Sequence, residues 1–193
     1  MKDSIIMKKI FMFAALAMMS MTVSAQKFAH VNLNELVQLM PEMDDARLKI
    51  DAASREAGDA YQEMVNEFNT KYQAYQQKVS TWSQATRETK EKELTDIQQR
   101  IQEFQQTVQA ELQQQQQTLM APIYKKAQDT VEQLGREGGY VYVFDVNAAL
   151  YIDPAQSTDI TAAARKILGI SDDRTLEALQ RELQAQAQAA MAE

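Results

Sequence analysis

Residues 138–161 read GGYVYVFDVNAALYIDPAQSTDIT, a run of β-branched and aromatic residues inside a chain otherwise dominated by Gln, Ala, Glu and Lys. Such residues fit a pleated, half-buried surface, so Tyr140 to Phe144 and Ala149 to Ile152 are expected as strands, with Asp145 to Ala148 as the turn between them and Asn147 suited to positive φ. The first of these is apolar at every position, which predicts cover on both of its faces. Gly135, Gly138 and Gly139 stop whatever helix comes before. After the strands, Asp159 or Thr161 can cap a helix through Ile167.

Working outward to the other end of the chain, Phe28 to Val31 reads as a further short strand. Asn34 is placed to cap a brief helix reaching Met40, and Pro41 fits the first turn of the helix that follows. A β-sheet body is therefore expected from 26–40 and 135–170. Three short strands and one helix bury too little surface to stand alone, so copies are expected to associate through strand residues Phe28, Val31, Val141, Val143, Leu150 and Ile152.

Between the two halves of the body, residues 41–134 are expected to form an arm. Met43, Ala46, Ile50, Ala53, Ala57, Ala60, Met64, Phe68, Tyr72, Tyr75, Val79 and Trp82 recur at steps of three or four, the signature of a long amphipathic helix. Leu94, Ile97, Ile101, Phe104, Val108 and Leu112 keep the same step on a second helix, which continues through Leu119, Ile123, Ala127, Val131 and Leu134. Partners across an antiparallel pair should have numbers adding to a constant. One constant, 173, matches Val79 with Leu94, Tyr72 with Ile101 and Ile50 with Ile123, and it sets the tip near 86–87. Legs of about 40–45 residues would reach roughly 60–70 Å at about 1.5 Å per residue. The fold class is α+β, mostly α: an antiparallel coiled-coil hairpin on a small, oligomerising sheet body.

One weak point is expected along the arm. Gly58 costs helix stability by about 1 kcal/mol relative to Ala. By the same constant it faces Gln115, in the run Gln113 to Gln117 where the seam lacks large apolar groups. Gly58 and Gln115 are thus the expected hinge.

The chain ends and composition narrow the functional classes. Lys8 and Lys9, an apolar run from Ile10 to Val23 and the small residues before Gln26 have the layout of a signal peptide spanning 1–25 and cleaved after Ala25. The apolar run is short for a bilayer span, which needs about 20 residues, and no stable membrane insertion is expected. Loss of Lys2, Lys8, Lys9 and Asp3 with that leader takes the formal charge from −7 to −9. Such a balance disfavours nucleic acid and anionic surfaces as partners. With no cysteine, stability in an exported chain must come from packing or assembly. Residues 171–193 form a C-terminal extension, helical by the spacing of Leu176, Leu179 and Leu183, or frayed.

Chemistry is sparse. The five glycines form no phosphate-binding loop, so ATP use is not expected. His30, the single histidine, reads as structural, and Asp145, Asp153 and Asp159 serve backbone N–H groups in turns and caps. No nucleophile and base can be paired by spacing. No catalytic, metal or cofactor residue is assigned, and the chain is not read as an enzyme.

The segments FAHVNLNEL after the leader, API late in the returning helix and YVYVFDVNAALYIDPAQSTDITAAARKIL resemble the Skp (OmpH-like) family of periplasmic chaperones, over about Phe28 to Leu168. The resemblance implies a homotrimer with a barrel-like body and three tentacles around a cavity for unfolded outer-membrane proteins. The chain would then be an ATP-independent holdase located in the periplasm. Well-known members are basic whereas this chain is acidic, so no lipopolysaccharide site is carried over. Tyr61 and Trp82 are the candidate client contacts, with capping of the hairpin end as the competing role of Trp82. A second functional reading is a structural coiled-coil adaptor of the envelope that binds one folded partner.

Overall fold

The computed structural model describes residues 26–192; the expected leader and its cleavage after Ala25 lie outside the described residues. Strand β1 (Lys27–Val31) is followed by helix α1 (Leu33–Leu39), the long helices α2 (Pro41–Lys78) and α3 (Gln84–Gly138), and strand β2 (Tyr140–Asp145). A 3-10 turn (Val146–Ala148), strand β3 (Ser157–Asp159), helix α4 (Thr161–Ile167) and helix α5 (Leu176–Ala192) complete the chain.

The sheet is parallel, in the order β2-β1-β3, with Phe28 opposite both Tyr142 and Ser157. This corrects the expectation of strands joined by a turn at Asp145 to Ala148. Strands β2 and β3 run parallel on either side of β1, so the chain must cross back between them, and residues 146–156 supply that crossover, so Leu150 and Ile152 belong to the return path and not to a strand. Asp145 still serves the local turn, its Oδ1 accepting from the Asn147 N–H at 3.1 Å.

Helix α1 starts two residues earlier than expected because Asn32, not Asn34, is its cap. The Asn32 Oδ1 accepts from the Glu35 N–H at 3.0 Å, while its amide Nδ2 donates to the Glu35 carboxylate at 3.3 Å. Asn34 lies inside α1 and accepts from Gln38 Nε2 instead. Leu36, Val37, Leu39 and Met40 then turn inward onto Ala29 and Val31 of β1, and Met43, Ala46, Ile123 and Ala127 join them from the roots of the long helices. Ile160, Ala164 and Leu168 close the core from α4. Ile160, not Asp159 or Thr161, holds the N-cap position of that helix, with no side-chain cap, and Asp159 Oδ1 accepts from the Thr161 N–H at 2.8 Å one residue before it.

Helix α3 runs through Gly135 and ends at Gly138. Gly139 takes the left-handed conformation (φ 64°) that ends helices at little cost only in glycine. A side chain on Gly138 would meet the Tyr140 ring, which would have to swing aside.

The hairpin turn lies at residues 79–83, not near 86–87. The polar segment after Trp82 is already helical, because Ser83 caps α3 by accepting from the Thr86 N–H at 3.3 Å. Cross-leg partners confirm the shift. Their numbers add to 164 for Lys71 and Glu93, to 167 for Glu67 and Arg100, and to 168 for Glu42 and Lys126. The true constant is about one heptad below 173, and a heptad slip keeps seam facing seam.

Candidate functional site

Two surfaces are candidates: the uncovered face of the sheet and the arm above it. On the sheet, alternation sends Ala29 and Val31 into the core and leaves Phe28, Tyr142 and Phe144 on the opposite face. The Phe28 and Tyr142 rings stack at 6.3 Å between centroids with planes 2° apart, and Tyr142 meets Phe144 at 5.8 Å. Tyr142 remains 58% exposed, and the crossover adds Leu150 at 108% and Tyr151 at 80%. The expectation that the first long strand is covered on both faces therefore does not hold within one chain. Apolar side chains of this size left in water form the type of patch that marks an interaction site.

Of the strand residues singled out by sequence, Val141 and Leu150 are exposed and Phe28 is half-buried, whereas Val31 is buried in the core and Val143 packs against it. Ile152 is half-buried. Tyr142, Phe144 and Tyr151 carry most of the exposed face and were not singled out. The period-2 alternation that separates Tyr142 and Phe144 from Val141 and Val143 was available in the sequence, but the core side was not, and Tyr151 lies on the crossover, outside any strand.

His30 ties two strands together. Its Nδ1 lies 2.8 Å from the Ser157 hydroxyl on β3, and its Nε2 lies 4.0 Å from Asp159 Oδ2. Asp159 also accepts from the Thr161 N–H, so the trio joins β1 to β3 beside the start of α4.

Along the arm the seam is narrow. Beyond the base, Ile97 is the one buried side chain among the described residues of the two legs, and charged groups do much of the cross-leg pairing. Near the tip the Lys71 ammonium reaches the Glu93 carboxylate on the other leg, and Lys90 donates to the same group at 2.7 Å. The two cations, Lys71 above all, hold the Glu93 carboxyl down at about 2. Glu93 in turn raises the Lys71 ammonium above its ordinary value. Tyr75 Oη donates to Glu91, which pushes the phenol up. At the base the Lys126 ammonium holds Glu42 below the usual carboxylate range.

Trp82 packs edge-on against Tyr75, with centroids 5.9 Å apart at 64°, and closes the end of the hairpin. Tyr61 is half-buried along the leg, while Phe68 and Tyr72 stack at 5.8 Å with Tyr72 exposed. The structure does not bring Tyr61 and Trp82 together. Gly58 and Gln115 are both exposed, and a Cβ at Gly58 would meet nothing within 4 Å. With the corrected register Gln115 stands nearer Ala53 than Gly58.

Among the described residues no cluster of His, Cys, Asp and Glu could hold a metal ion, and no helix is long and apolar enough to cross a membrane.

Open aromatic face and projecting hairpin together define a protein that presents a long helical arm from a small parallel-sheet base. Residues 27–168 match the family model described as Outer membrane protein (OmpH-like), and the chain belongs to that family. It is similar to the chaperone protein Skp of Yersinia enterocolitica, 29% identical over 76% of this chain and 88% of that protein. It is likewise similar to that of Yersinia pseudotuberculosis, 32% identical over 79% and 91% of the two chains. Among solved structures, a putative outer membrane chaperone (OmpH-like) from Caulobacter crescentus superposes with a TM-score of 0.67 over 80% of this chain and 93% of its own, at 16% identity. That likeness carries the fold.

Proposed function

We propose that the mature chain, from Gln26 onward, is an ATP-independent periplasmic holdase for unfolded outer-membrane β-barrel proteins, working as a homotrimer whose arms enclose the client. The observation that carries this reading is the sheet face built by Phe28, Tyr142 and Phe144 at the foot of the hairpin. A second and third copy would cover those rings, and the same contact would set several arms around one space. The family relationship and the chaperone relatives support the client class.

An unfolded barrel protein exposes apolar side chains and unpaired strand edges that otherwise pair between chains. Polar legs with half-buried aromatics, Tyr61 among them, offer many weak contacts whose sum is large while each remains reversible. Release needs no fuel, because insertion into a bilayer lowers the client's free energy further. Trp82 serves first as the clasp of the hairpin end and only through its free edge as a contact.

The test is to dilute several unrelated outer-membrane proteins from urea into residues 26–193 without nucleotide and follow light scattering. Suppressed aggregation of all of them is expected. Capture of a single folded envelope protein, with no effect on unfolded ones, would favour the adaptor and overturn the holdase.

A further inference from the structure

The C-terminal extension lies beyond the end of the family match at residue 168, yet it is tied down at several points. The Arg165 guanidinium donates to Glu35 on α1 at 2.6 Å, to the Ser171 carbonyl at 2.7 Å and to the Arg174 carbonyl at 2.6 Å, so one side chain fixes the whole link between α4 and α5. Arg174 in turn donates to Asp44 on the first turns of α2. Leu179 is buried in the body core and Leu176 packs beside it.

The helix α5 packs on α1, and past that anchor it faces α2 across a gap. Leu48 and Leu183 border an open groove of ≈ 630 Å³ between the two helices, and they stay 68% and 40% exposed. Gln116 of α3 lines the same groove. It belongs to the glutamine run where the seam lacks large apolar groups. The added helix is therefore seated beside the least apolar section of the arm, near its root.

We propose that α5 is a strut that sets how stiffly the arm joins the body, with the Arg174–Asp44 ion pair as its latch. Latched, it adds a third helix to the base of a two-helix rod and restrains bending there. Unlatched, it leaves residues 44–58 and 113–119 free to open while the core stays closed. Stiffness at this level follows from the local contacts that must break for the segment to open. The strut acts on the arm's own mobility, so the proposal does not depend on which client the arm holds.

Hydrogen exchange tests it on residues 26–193. Arg174→Gln should speed exchange at 44–58 and 113–119 by about tenfold, with β1, β2 and Ile101 unchanged. Arg174→Lys, which keeps the charge, should retain most of the protection. The chain has no cysteine, so Leu48→Cys with Leu183→Cys can be bridged by a short bifunctional thiol reagent. Bridging should slow the same peptides below the unmodified rate. Unchanged rates in Arg174→Gln and in the bridged protein, or equal acceleration of β1 and β2 in Arg174→Gln, would overturn the strut.

Discussion

In the body, Ala29, Leu36, Leu39 and Ala127 are withdrawn from water altogether; along the arm between Ala46 and Ile123, Ile97 alone is. The body gathers its core from both ends of the chain, as Phe28 stacking on Tyr142 and Arg165 reaching Glu35 show. Each leg of the arm instead draws its helical hydrogen bonds from its own length, and the legs hold each other by a thin seam and exposed ion pairs. Stability is therefore concentrated at one end of the molecule. The other end has surface to offer and little to lose by moving.

Core truncations on the two sides of this contrast should separate it most widely. Leu36→Ala removes a fully buried side chain from the body and should cost about 3–5 kcal/mol. Urea denaturation followed by circular dichroism should show sheet and arm signals lost together at lower denaturant. Ile97→Ala should cost less, about 2 kcal/mol, because a narrow seam can collapse around the gap. Its effect should appear as faster exchange near Glu93 and Ile101 with the body unmoved. A larger loss for Ile97 than for Leu36 would reverse the comparison.

Gly58→Ala tests the arm from the opposite direction. A methyl group there meets no neighbour, so the substitution should stabilise α2 by about 1 kcal/mol and slow exchange around residue 58. Unchanged exchange would show that Gly58 is not a soft point.

The smallest effect is expected from pH. Glu93 has a folded-state carboxyl held at about 2 against an ordinary 4.5, so its contribution is complete above pH 4.5 and fades as pH falls toward 2. The pair is exposed, and screening keeps its worth small. Exchange near Lys71 and Glu93 should quicken over that window in the parent and stay flat in Glu93→Gln. Identical profiles would show that the Lys71–Glu93 pair does not hold the legs together there.

The same contrast explains what was legible in the sequence. Both long helices follow from apolar spacing alone, since a leg's period is a local property. The pairing of the legs does not. A seam that repeats every seven residues matches itself at several offsets, and 173 lies about one heptad above the sums of 164 to 168 at which the cross-leg ion pairs meet. Ser83 was the missing signal, a cap residue that begins α3 before the apolar series resumes. In the body the strands Phe28 to Val31 and Tyr140 to Phe144 were readable, but their mutual direction depends on a crossover through Leu150 and Ile152, which share the apolar character of a strand. The docking of α5 rests on Arg165 and Arg174, whose distant partners are the carboxylates of Glu35 and Asp44. Only the leucine spacing hinted at it.

The most direct measurement is the mass of residues 26–193 in solution, by sedimentation equilibrium, alongside Tyr142→Asp. On the proposed reading, in which copies cover the open aromatic face, the parent should sediment as a small closed oligomer, a trimer, and the variant, with a charge on that face, should dissociate while keeping its helix content. A parent that sediments as a single chain at micromolar concentration, with Tyr142 still in water, would contradict the claim that the body is completed by copies of itself.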